Sequence, residues 1–354
     1  GASPRLRVIS QDPKSLGGSS LLVPEVTTTP GPASVGIIAN PRAARDVRRL
    51  VSGASNVPVS ERCAIIQRVM SGLAAVGIGQ VLMMYDRDGI AAGLERAVER
   101  QTPSSGTAWP KLTFLEMPIE GRPIDTLIAT RLMYESGVGT MVVLGGDGTH
   151  RLVAHECRQT PLVCLSTGTN NAFPQFPEAT LAGLASGAVA GGLVAPDDVC
   201  LVNKRLCVNV NGQAEIPALV DVCLTGETHT GTRALWRPEA LHELYLAFAE
   251  PGTIGLSSIG SLLCPTSRSE DAGLAIELGE LPVTDRHLNA PIAPGLISPV
   301  GIKNYRRINL GERCSRTAQA GTLAFDGERE IELFDGDRVE ITLERSGPRS
   351  VDVP

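Results

Sequence analysis

The segment Gly145–Thr149 has the sequence GGDGT and directly follows the apolar run Thr140–Leu144. Its glycines let backbone amides approach an anion closely, and the helix start expected after them adds a positive dipole, an arrangement that suits phosphate. Asp147 would repel such an anion, so it suits better the removal of a proton from a substrate hydroxyl, or contact with Mg²⁺. A strand-to-helix turn with Asp147 as the helix cap explains the same residues equally well.

A second polar loop follows the next apolar run. Pro161–Leu165 leads into residues 166–174, which read STGTNNAFP and are dense in hydroxyl and amide groups. Neighbouring strands of a parallel sheet deliver their carboxyl-end loops to one edge, so we expect both loops to face one crevice. Asn40 and Pro41, which leave an earlier apolar run, are expected to form a third wall. Helix capping by asparagine is the alternative interpretation of the second loop.

Alternating strands and helices position these loops. Apolar runs predict strands at 35–39, 81–84, 112–117 and 140–144. Apolar residues at helical spacing predict helices between them, at 61–76, 88–100 and 124–135. This alternation predicts an α/β fold with a doubly wound parallel sheet and helices on both of its faces. After Pro196 the pattern becomes β, with strands between glycine and asparagine turns, which predicts a β-rich second domain. Within it, only Pro238–Glu250 has the spacing of a helix.

Composition excludes several classes of protein. The 354 residues are too many for one ordinary core and suit two domains. A net charge of −6 argues against a protein that coats nucleic acid or an anionic membrane. Eight cysteines without a CxxC pair favour reduced thiols in a cytoplasmic protein. The charge-free segment Ala179–Pro196 holds four glycines, which predicts a small-residue helix rather than a transmembrane segment.

Other catalytic motifs are missing from the sequence. It contains neither a Gly-Lys dipeptide, which excludes a Walker P-loop, nor a GxGxxG segment, which leaves hydride transfer without support. The five histidines give no metal-ligand cluster. His150 is expected either on an exposed first helical turn or beside a phosphate.

Three segments together resemble a known superfamily. Gly145–Thr149 resembles the GGDGT signature of NAD kinases, diacylglycerol kinases and sphingosine kinases, and Asn40 with Pro41 after the first strand is similar too. Phe325–Glu328 stands at the expected distance on the other side. Within the superfamily the chain most resembles the ATP-NAD kinase branch called AcoX, or acetoin catabolism X, over nearly everything from Val35 onward.

The resemblance implies an ATP-dependent kinase whose active site lies between two domains, with Mg²⁺ bridging the nucleotide phosphates rather than held by a protein cluster. Asp147 resembles the general base that acts on the acceptor hydroxyl, which in NAD kinases is the adenosine ribose 2′-hydroxyl of NAD. The nucleotide-binding residues implied are Asn40, Pro41, Gly145, Gly146, Gly148, Thr149, Gly168, Thr169, Asn170 and Asn171. The residues implied for the acceptor or second-domain site are Asp221, Asp326, Gly327 and Glu328.

One departure from the family pattern leaves the acceptor open. Val220 stands where NAD kinases have the asparagine of an Asn-Glu pair that holds the dinucleotide, and Asp221 keeps only the acidic half. ATP is therefore better supported than NAD. Asn170 and Glu328 resemble the lipid-kinase branch, so a kinase for a lipid or small-metabolite hydroxyl is one alternative. A catalytically silent nucleotide-binding accessory protein of acetoin catabolism is the other.

The expected domain organisation follows from both kinds of reasoning. We expect a flexible tail over residues 1–34, an α/β nucleotide-binding domain over 35–197 and a β-rich, sandwich-like acceptor-binding domain over 198–354. The fold implied is NAD kinase-like, and the last strands can return to the first domain. Many members of the superfamily form dimers or tetramers through the β domain, so a homodimer or homotetramer is expected.

Overall fold

The structure is a computed structural model, and it describes residues 33–41, 57–100, 108–168, 171–227, 235, 237–284 and 286–353. Residues 1–32 of the predicted tail lie outside the described residues. Ser34 already belongs to the first strand, one residue before the expected start of the sheet, because it pairs with Gln80.

Strands and helices alternate in the first half of the chain, and strands dominate the second half. The strands are β1 (Ser34–Ala39), β2 (Gln80–Met83), β3 (Lys111–Phe114), β4 (Thr140–Gly145), β5 (Leu162–Ser166), β6 (Cys200–Val202), β7 (Arg205–Val210), β8 (Ile216–Ala218), β9 (Asp221–Thr225), β10 (Leu241–Leu246), β11 (Ala272–Gly279), β12 (His287–Ala293), β13 (Leu296–Asn309), β14 (Arg313–Thr317), β15 (Gly321–Phe325), β16 (Glu328–Leu333), β17 (Arg338–Glu344) and β18 (Arg349–Val351). The helices are α1 (Val59–Ala75), α2 (Ile90–Arg100), α3 (Pro123–Glu135), α4 (Asp147–Glu156), α5 (Ala179–Ala190), α6 (Pro196–Val199) and α7 (Ser257–Leu263), with a 3₁₀ turn at Pro238–Ala240.

The first sheet has the order β3-β2-β1-β4-β5-β18-β6. The strands from β3 to β18 run parallel, and β6 is antiparallel to β18. Helices α1, α2 and α5 pack on one face, and α3 and α4 pack on the other. Strands buried on both faces are continuously apolar, which explains why Met141, Val142 and Val143 are all fully buried. The predicted doubly wound parallel sheet is confirmed.

The remaining strands form two further sheets. One has the order β12-β13-β11-β10-β9-β15-β16, and the other has the order β14-β17-β7-β8. Side chains of both enter one apolar cluster, which also contains Ile38, Met141 and Phe173 from the first half of the chain. The β-rich second half is confirmed, and its sheets share a core with the α/β half. The last strand, β18, inserts into the first sheet between β5 and β6.

The predicted helix at Pro238–Glu250 is wrong, because the segment begins with a 3₁₀ turn at Pro238–Ala240 and continues as strand β10 at Leu241–Leu246. The strand lies between β9 and β11 in a sheet that is covered on both faces. Tyr245 and Ala247 enter the cluster on one face, while Leu244 and Leu246 enter the cluster on the other. A strand buried on both faces loses the alternation that would identify it, so its apolar residues also match a helical spacing.

Helices α1 and α5 approach each other closely where they cover the sheet. A Cβ atom on Gly183 of α5 would lie 2.2 Å from the carbonyl oxygen of Val69, and one on Gly72 of α1 would lie 2.4 Å from that of Thr180. Only glycine permits this approach of two backbones. The small-residue helix expected from the charge-free segment is therefore a packing helix. Among the described residues, none of the helices is both long enough and apolar enough to span a bilayer.

Gly183→Ala should destabilise the protein by about 2 kcal/mol, because the added methyl overlaps a backbone oxygen that cannot move without shifting α1. The matched control is Gly148→Ala, where the nearest atom to the new methyl is 4.0 Å away and the expected change is about 1 kcal/mol or less. Urea denaturation of both variants tests this. A Gly183→Ala protein as stable as the wild type would contradict the close helix contact.

Candidate functional site

The two polar loops meet at the carboxyl edge of the first sheet. Gly145 at the end of β4 pairs with Ser166 at the end of β5, and the Thr167 amide donates to the Gly145 carbonyl over 3.1 Å. The loops therefore leave neighbouring strands side by side, as the parallel topology predicts.

Three of the four glycines of these loops are required by close packing and not by backbone conformation. None of Gly145, Gly146, Gly148 and Gly168 has a positive φ. A Cβ on Gly168 would lie 2.6 Å from Cα of Gly146, and one on Gly145 would lie 2.5 Å from Cβ of Thr149. Gly148 differs, because a Cβ there would meet nothing closer than 4.0 Å. Gly145, Gly146 and Gly168 are thus needed for close packing within the protein, whereas Gly148 leaves room for a ligand.

The loop after β1 forms the third wall. The Asn40 side-chain amide donates to the Thr149 hydroxyl over 2.9 Å, and the Asn40 backbone amide donates to the Leu144 carbonyl over 3.1 Å. Pro41 follows in a turn. The fully buried Arg62 of α1 donates to the Asn40 carbonyl. The predicted wall is therefore fixed to the GGDGT segment.

Asp147 is the first residue of α4, and its carboxylate holds the second loop. Oδ1 accepts hydrogen bonds from the backbone amides of Ala172 at 3.1 Å and Phe173 at 2.8 Å, and Oδ2 lies 3.1 Å from the Ala172 amide. The side chain is buried. These hydrogen bonds hold the Asp147 side chain in one orientation against the second loop.

Arg268 holds the same two residues from the other side. Its guanidinium donates to the carbonyl of Phe173 over 2.6 Å and to that of Ala172 over 2.5 Å, while Nε donates to Glu250 over 2.9 Å. The guanidinium carbon lies 4.3 Å from the ring centre of Phe248 and 5.3 Å from that of Phe173. The second loop is therefore clamped between an acid of the α/β half and a base of the β-rich half.

His150 is fully buried, so the exposed position expected for it on the first helical turn is wrong. Nδ1 lies 2.9 Å from the Gly146 carbonyl, and the ring packs against Phe173 with 5.8 Å between ring centres. The side chain points inward because α4 begins at Asp147, three residues earlier than the sequence suggests. Burial, reinforced by the charge of Arg268, lowers the pKa of His150 to about 4.

The Asp326-Gly327 turn is stabilised by the carboxylates of Asp326 and Asp221. Asp326 has a φ of 50°, and its Oδ1 accepts from the amides of Leu219, Val220 and Asp221 at 3.1, 2.8 and 3.3 Å. Asp221 Oδ1 accepts from the Gly327 amide over 3.0 Å. Both carboxylates are buried, so they shape the turn that carries the next residue, Glu328.

Arg151 of α4 connects this turn to the GGDGT segment. Its guanidinium pairs with Glu330, and its Nε lies 3.6 Å from Asp326 Oδ2. Burial raises the pKa of Asp326, and the charge of Arg151 opposes that shift. Glu328 is thereby brought to the start of α4, where its Oε1 is the atom nearest to a Cβ built on Gly148, at 4.0 Å. Within the described residues its side chain makes neither a hydrogen bond nor an ion pair.

Several buried polar atoms beside the loops lack a hydrogen-bond partner within the described part of the chain. They are Ser166 Oγ, Thr167 Oγ1 and Asn171 Oδ1. The amides of Gly148 and Thr149 at the start of α4 likewise donate no hydrogen bond there. Buried polar groups are normally satisfied, so this concentration of donors and acceptors indicates a site for a polar ligand.

Two predicted residues, Thr169 and Asn170, lie outside the described residues. The other predicted loop residues come together, and Asn171 donates to the Gly168 carbonyl over 2.8 Å. The ranges that the structure describes contain no group of three or more His, Cys, Asp or Glu side chains placed to hold a metal ion.

Sequence reasoning missed Arg62, Arg151 and Arg268. Arg62 and Arg268 donate to backbone carbonyls, and any residue supplies a carbonyl, so no pattern in the sequence reveals them. Arg151 pairs with an acid 179 residues away, and only the fold brings the two together.

Comparison with known proteins assigns both halves of the chain. Residues 35–193 match the model of the ATP-NAD kinase N-terminal domain, and residues 204–346 match that of the acetoin catabolism protein X C-terminal domain. Acetoin catabolism protein X of Cupriavidus necator is 43% identical over 324 residues, which is 90% of each chain.

A crystal structure of a diacylglycerol kinase from Bacillus anthracis str. Sterne is also similar, at 13% identity and a TM-score of 0.39. The match covers 92% of this chain and 99% of that chain. A likeness at this level supports no statement about activity.

His150 gives the protein a specific response to acid. Its pKa is about 4 in the folded protein and near 6.5 in the unfolded chain, so between these values only the unfolded chain binds the proton. We therefore expect the His150 contribution to stability, about 3 kcal/mol, to be complete above pH 6.5 and to be lost as the pH falls towards 4. Unfolding free energies of wild type and His150→Gln from pH 7 to 4 measure it. Equal pH dependence in both, or an NMR titration of His150 near 6.5, would contradict the assignment.

Proposed function

The chain belongs to the acetoin catabolism protein X family, and from this membership we propose that it transfers the γ-phosphoryl group of ATP to a hydroxyl acceptor at the carboxyl edge of its first sheet. The proposal depends on one observation above all, namely that the GGDGT segment and the following loop combine unpartnered amides and hydroxyls with a fixed carboxylate. We propose the adenosine ribose 2′-hydroxyl of NAD as the acceptor.

The residues at the first turn of α4 fit a chain of phosphates. The amides of Gly148 and Thr149 are available as donors, and Thr167 adds a buried hydroxyl without a partner. A helix start with such donors is a good anion site. Magnesium bound to the nucleotide would neutralise phosphate charge during transfer. With no metal-ligating cluster among the described side chains, that ion would be held chiefly by the phosphates.

Asp147 is the proposed general base. A carboxylate at the start of α4 lies beside the donors proposed to hold the phosphates, and it is oriented by the Ala172 and Phe173 amides. Two of these hydrogen bonds go to Oδ1 and one goes to Oδ2, so the side chain is held in one orientation. We propose that this fixed carboxylate accepts the proton that leaves the acceptor hydroxyl.

Glu328 is the alternative base, and a specific observation favours it. Its carboxylate makes no hydrogen bond or ion pair in the described part of the chain, and it faces the Gly148 end of α4. The Glu328 side chain is half-buried and lies within the electrostatic reach of Arg151, whereas the carboxylate oxygens of Asp147 already accept backbone amides. The two carboxylates can be separated by single substitutions.

The surroundings of Val220 favour a second acceptor class. Its side chain is fully buried in the shared core, and its amide donates to Asp326. Asp221 supports the Gly327 amide. The pair that would hold a dinucleotide through an amide and an acid is thus replaced by an apolar side chain and a structural carboxylate. A lipid or a small metabolite with a free hydroxyl is the second candidate acceptor.

The replacement of the amide-and-acid pair by Val220 and Asp221 also fits a protein that binds a nucleotide without transferring its phosphate. In that case the loops would bind a nucleotide and the chain would act as an accessory protein in acetoin catabolism. Measurement of ATP binding apart from ATP consumption distinguishes this alternative from both kinases.

With ATP, Mg²⁺ and NAD, the wild type is expected to form NADP, and Asp147→Asn is expected to lower the rate by about 100-fold or more through loss of the base. Glu328→Gln should lower it by less than about tenfold. An enzyme-coupled NADP assay measures both. Asp86→Asn is the matched control, since Asp86 is also a buried acid that accepts backbone amides, from Gly89 to Ala91, but at the start of α2.

Each other result points to a different conclusion. Retained activity in Asp147→Asn with loss in Glu328→Gln would move the base to Glu328. ATP consumption with a lipid or metabolite alcohol but not with NAD would replace the acceptor. ATP binding without any consumption would leave the accessory protein as the function.

A further inference from the structure

We propose that Arg268, a residue of the β-rich half, is a positioning residue for the nucleotide loop of the α/β half. This inference rests on the proposed function and adds to it a link between the two halves. Arg268 does not belong to the GGDGT segment, to its neighbouring loop or to the turn that carries Glu328.

The contacts of Arg268 are concentrated on two peptide units. Both terminal nitrogens of the guanidinium reach carbonyls of the second loop, at Ala172 and Phe173. The amides of the same two residues are bound by Asp147. The backbone amide and carbonyl of each of these two residues are therefore held by charged side chains from opposite sides. This restrains the orientation of the residue more than either contact alone would.

The guanidinium is itself held rigidly. Glu250 accepts from Nε and, through its other oxygen, from the Arg268 amide at 3.0 Å. Phe248 and Phe173 lie within cation–π distance of the guanidinium, and little of the side chain is exposed. A charge buried in this way keeps its geometry only while all of its donors are satisfied.

The loop that carries Arg268 is held in place by Lys204 and Arg345. The buried Lys204 ammonium donates to the Ser267 and Ala272 carbonyls at either end of the loop. Arg345 donates to the carbonyls of Arg268, Ser269 and Glu270. Arg345 also donates to the Val202 carbonyl of β6 in the first sheet, so Arg268 is presented to the second loop as a fixed element.

The position of the second loop is what the site depends on. Ser166, Thr167 and Asn171 supply buried polar atoms without a partner in the described part of the chain, and Asn171 directly precedes the clamped Ala172. Release of the clamp would let these groups move away from Gly146, against which Gly168 packs. Loss of Arg268 should therefore weaken nucleotide binding without removing any group proposed to contact the nucleotide.

Amide hydrogen exchange and ATP binding together test the proposal in the full-length protein. In Arg268→Lys, which keeps the charge but not the fork of donors, the Ala172 and Phe173 amides should exchange at least about tenfold faster. The Kd for ATP, measured by calorimetry, should rise by at least about tenfold. In Arg268→Ala, millimolar guanidinium should restore both properties, whereas the same concentration of ammonium should not.

Arg131→Lys is the control, because it breaks another bidentate arginine–carboxylate pair, with Glu156, that does not touch the second loop. It should leave exchange at Ala172 and Phe173 and the ATP affinity unchanged. If Arg268→Ala does not fold, Arg268→Lys and Arg268→Gln give the same comparison.

The two possible failures are distinguishable. Unchanged exchange of the Ala172 and Phe173 amides in the Arg268 variants would overturn the positioning role, whether or not ATP binds. Faster exchange with an unchanged Kd would overturn the link to the nucleotide. A wild type that binds no ATP would reject the proposed function, and the exchange data would still decide whether Arg268 fixes the loop.

Discussion

The Asp147 carboxylate and the Arg268 guanidinium bind the same two residues, Ala172 and Phe173, and the rest of the site is arranged around these contacts. The acid binds the amides of Ala172 and Phe173, and the base binds their carbonyls. One charge comes from a helix of the α/β half and the other from a loop of the β-rich half. A buried negative and a buried positive charge are each tolerable because backbone dipoles lie between them and satisfy both.

This arrangement explains why the loops are rich in glycine and where a ligand fits. Gly146 and Gly168 bring the loops into direct contact and Gly145 packs against Thr149, whereas Gly148 opens towards Glu328. The hydroxyls and amides that remain without partners lie on the second loop and at the start of α4. Arg151 completes the arrangement, because it fixes the Asp326–Gly327 turn to the same helix that begins with Asp147. Acidic net charge is compatible with phosphate binding here, since helix-start amides supply the local positive field.

Much of this site could be predicted from sequence because it depends on local order. A buried strand followed by GGDGT, and another followed by a polar loop, must place both loops at one sheet edge if the strands are parallel. The predictions from sequence were wrong where tertiary contacts determine the local structure. His150 was expected at the surface because its burial depends on where α4 starts, and β10 resembled a helix because both of its faces are covered. Arg268 was not identified because its partners are carbonyls, which the sequence does not distinguish.

A crystal structure of the wild-type protein with Mg²⁺ and a non-hydrolysable ATP analogue tests the central claim most directly. The account predicts phosphate oxygens on the amides of Gly148 and Thr149 and beside the Thr167 hydroxyl, with Asp147 and Arg268 still bound to Ala172 and Phe173. Phosphates bound elsewhere, or a second loop that has left both charged residues, would contradict it.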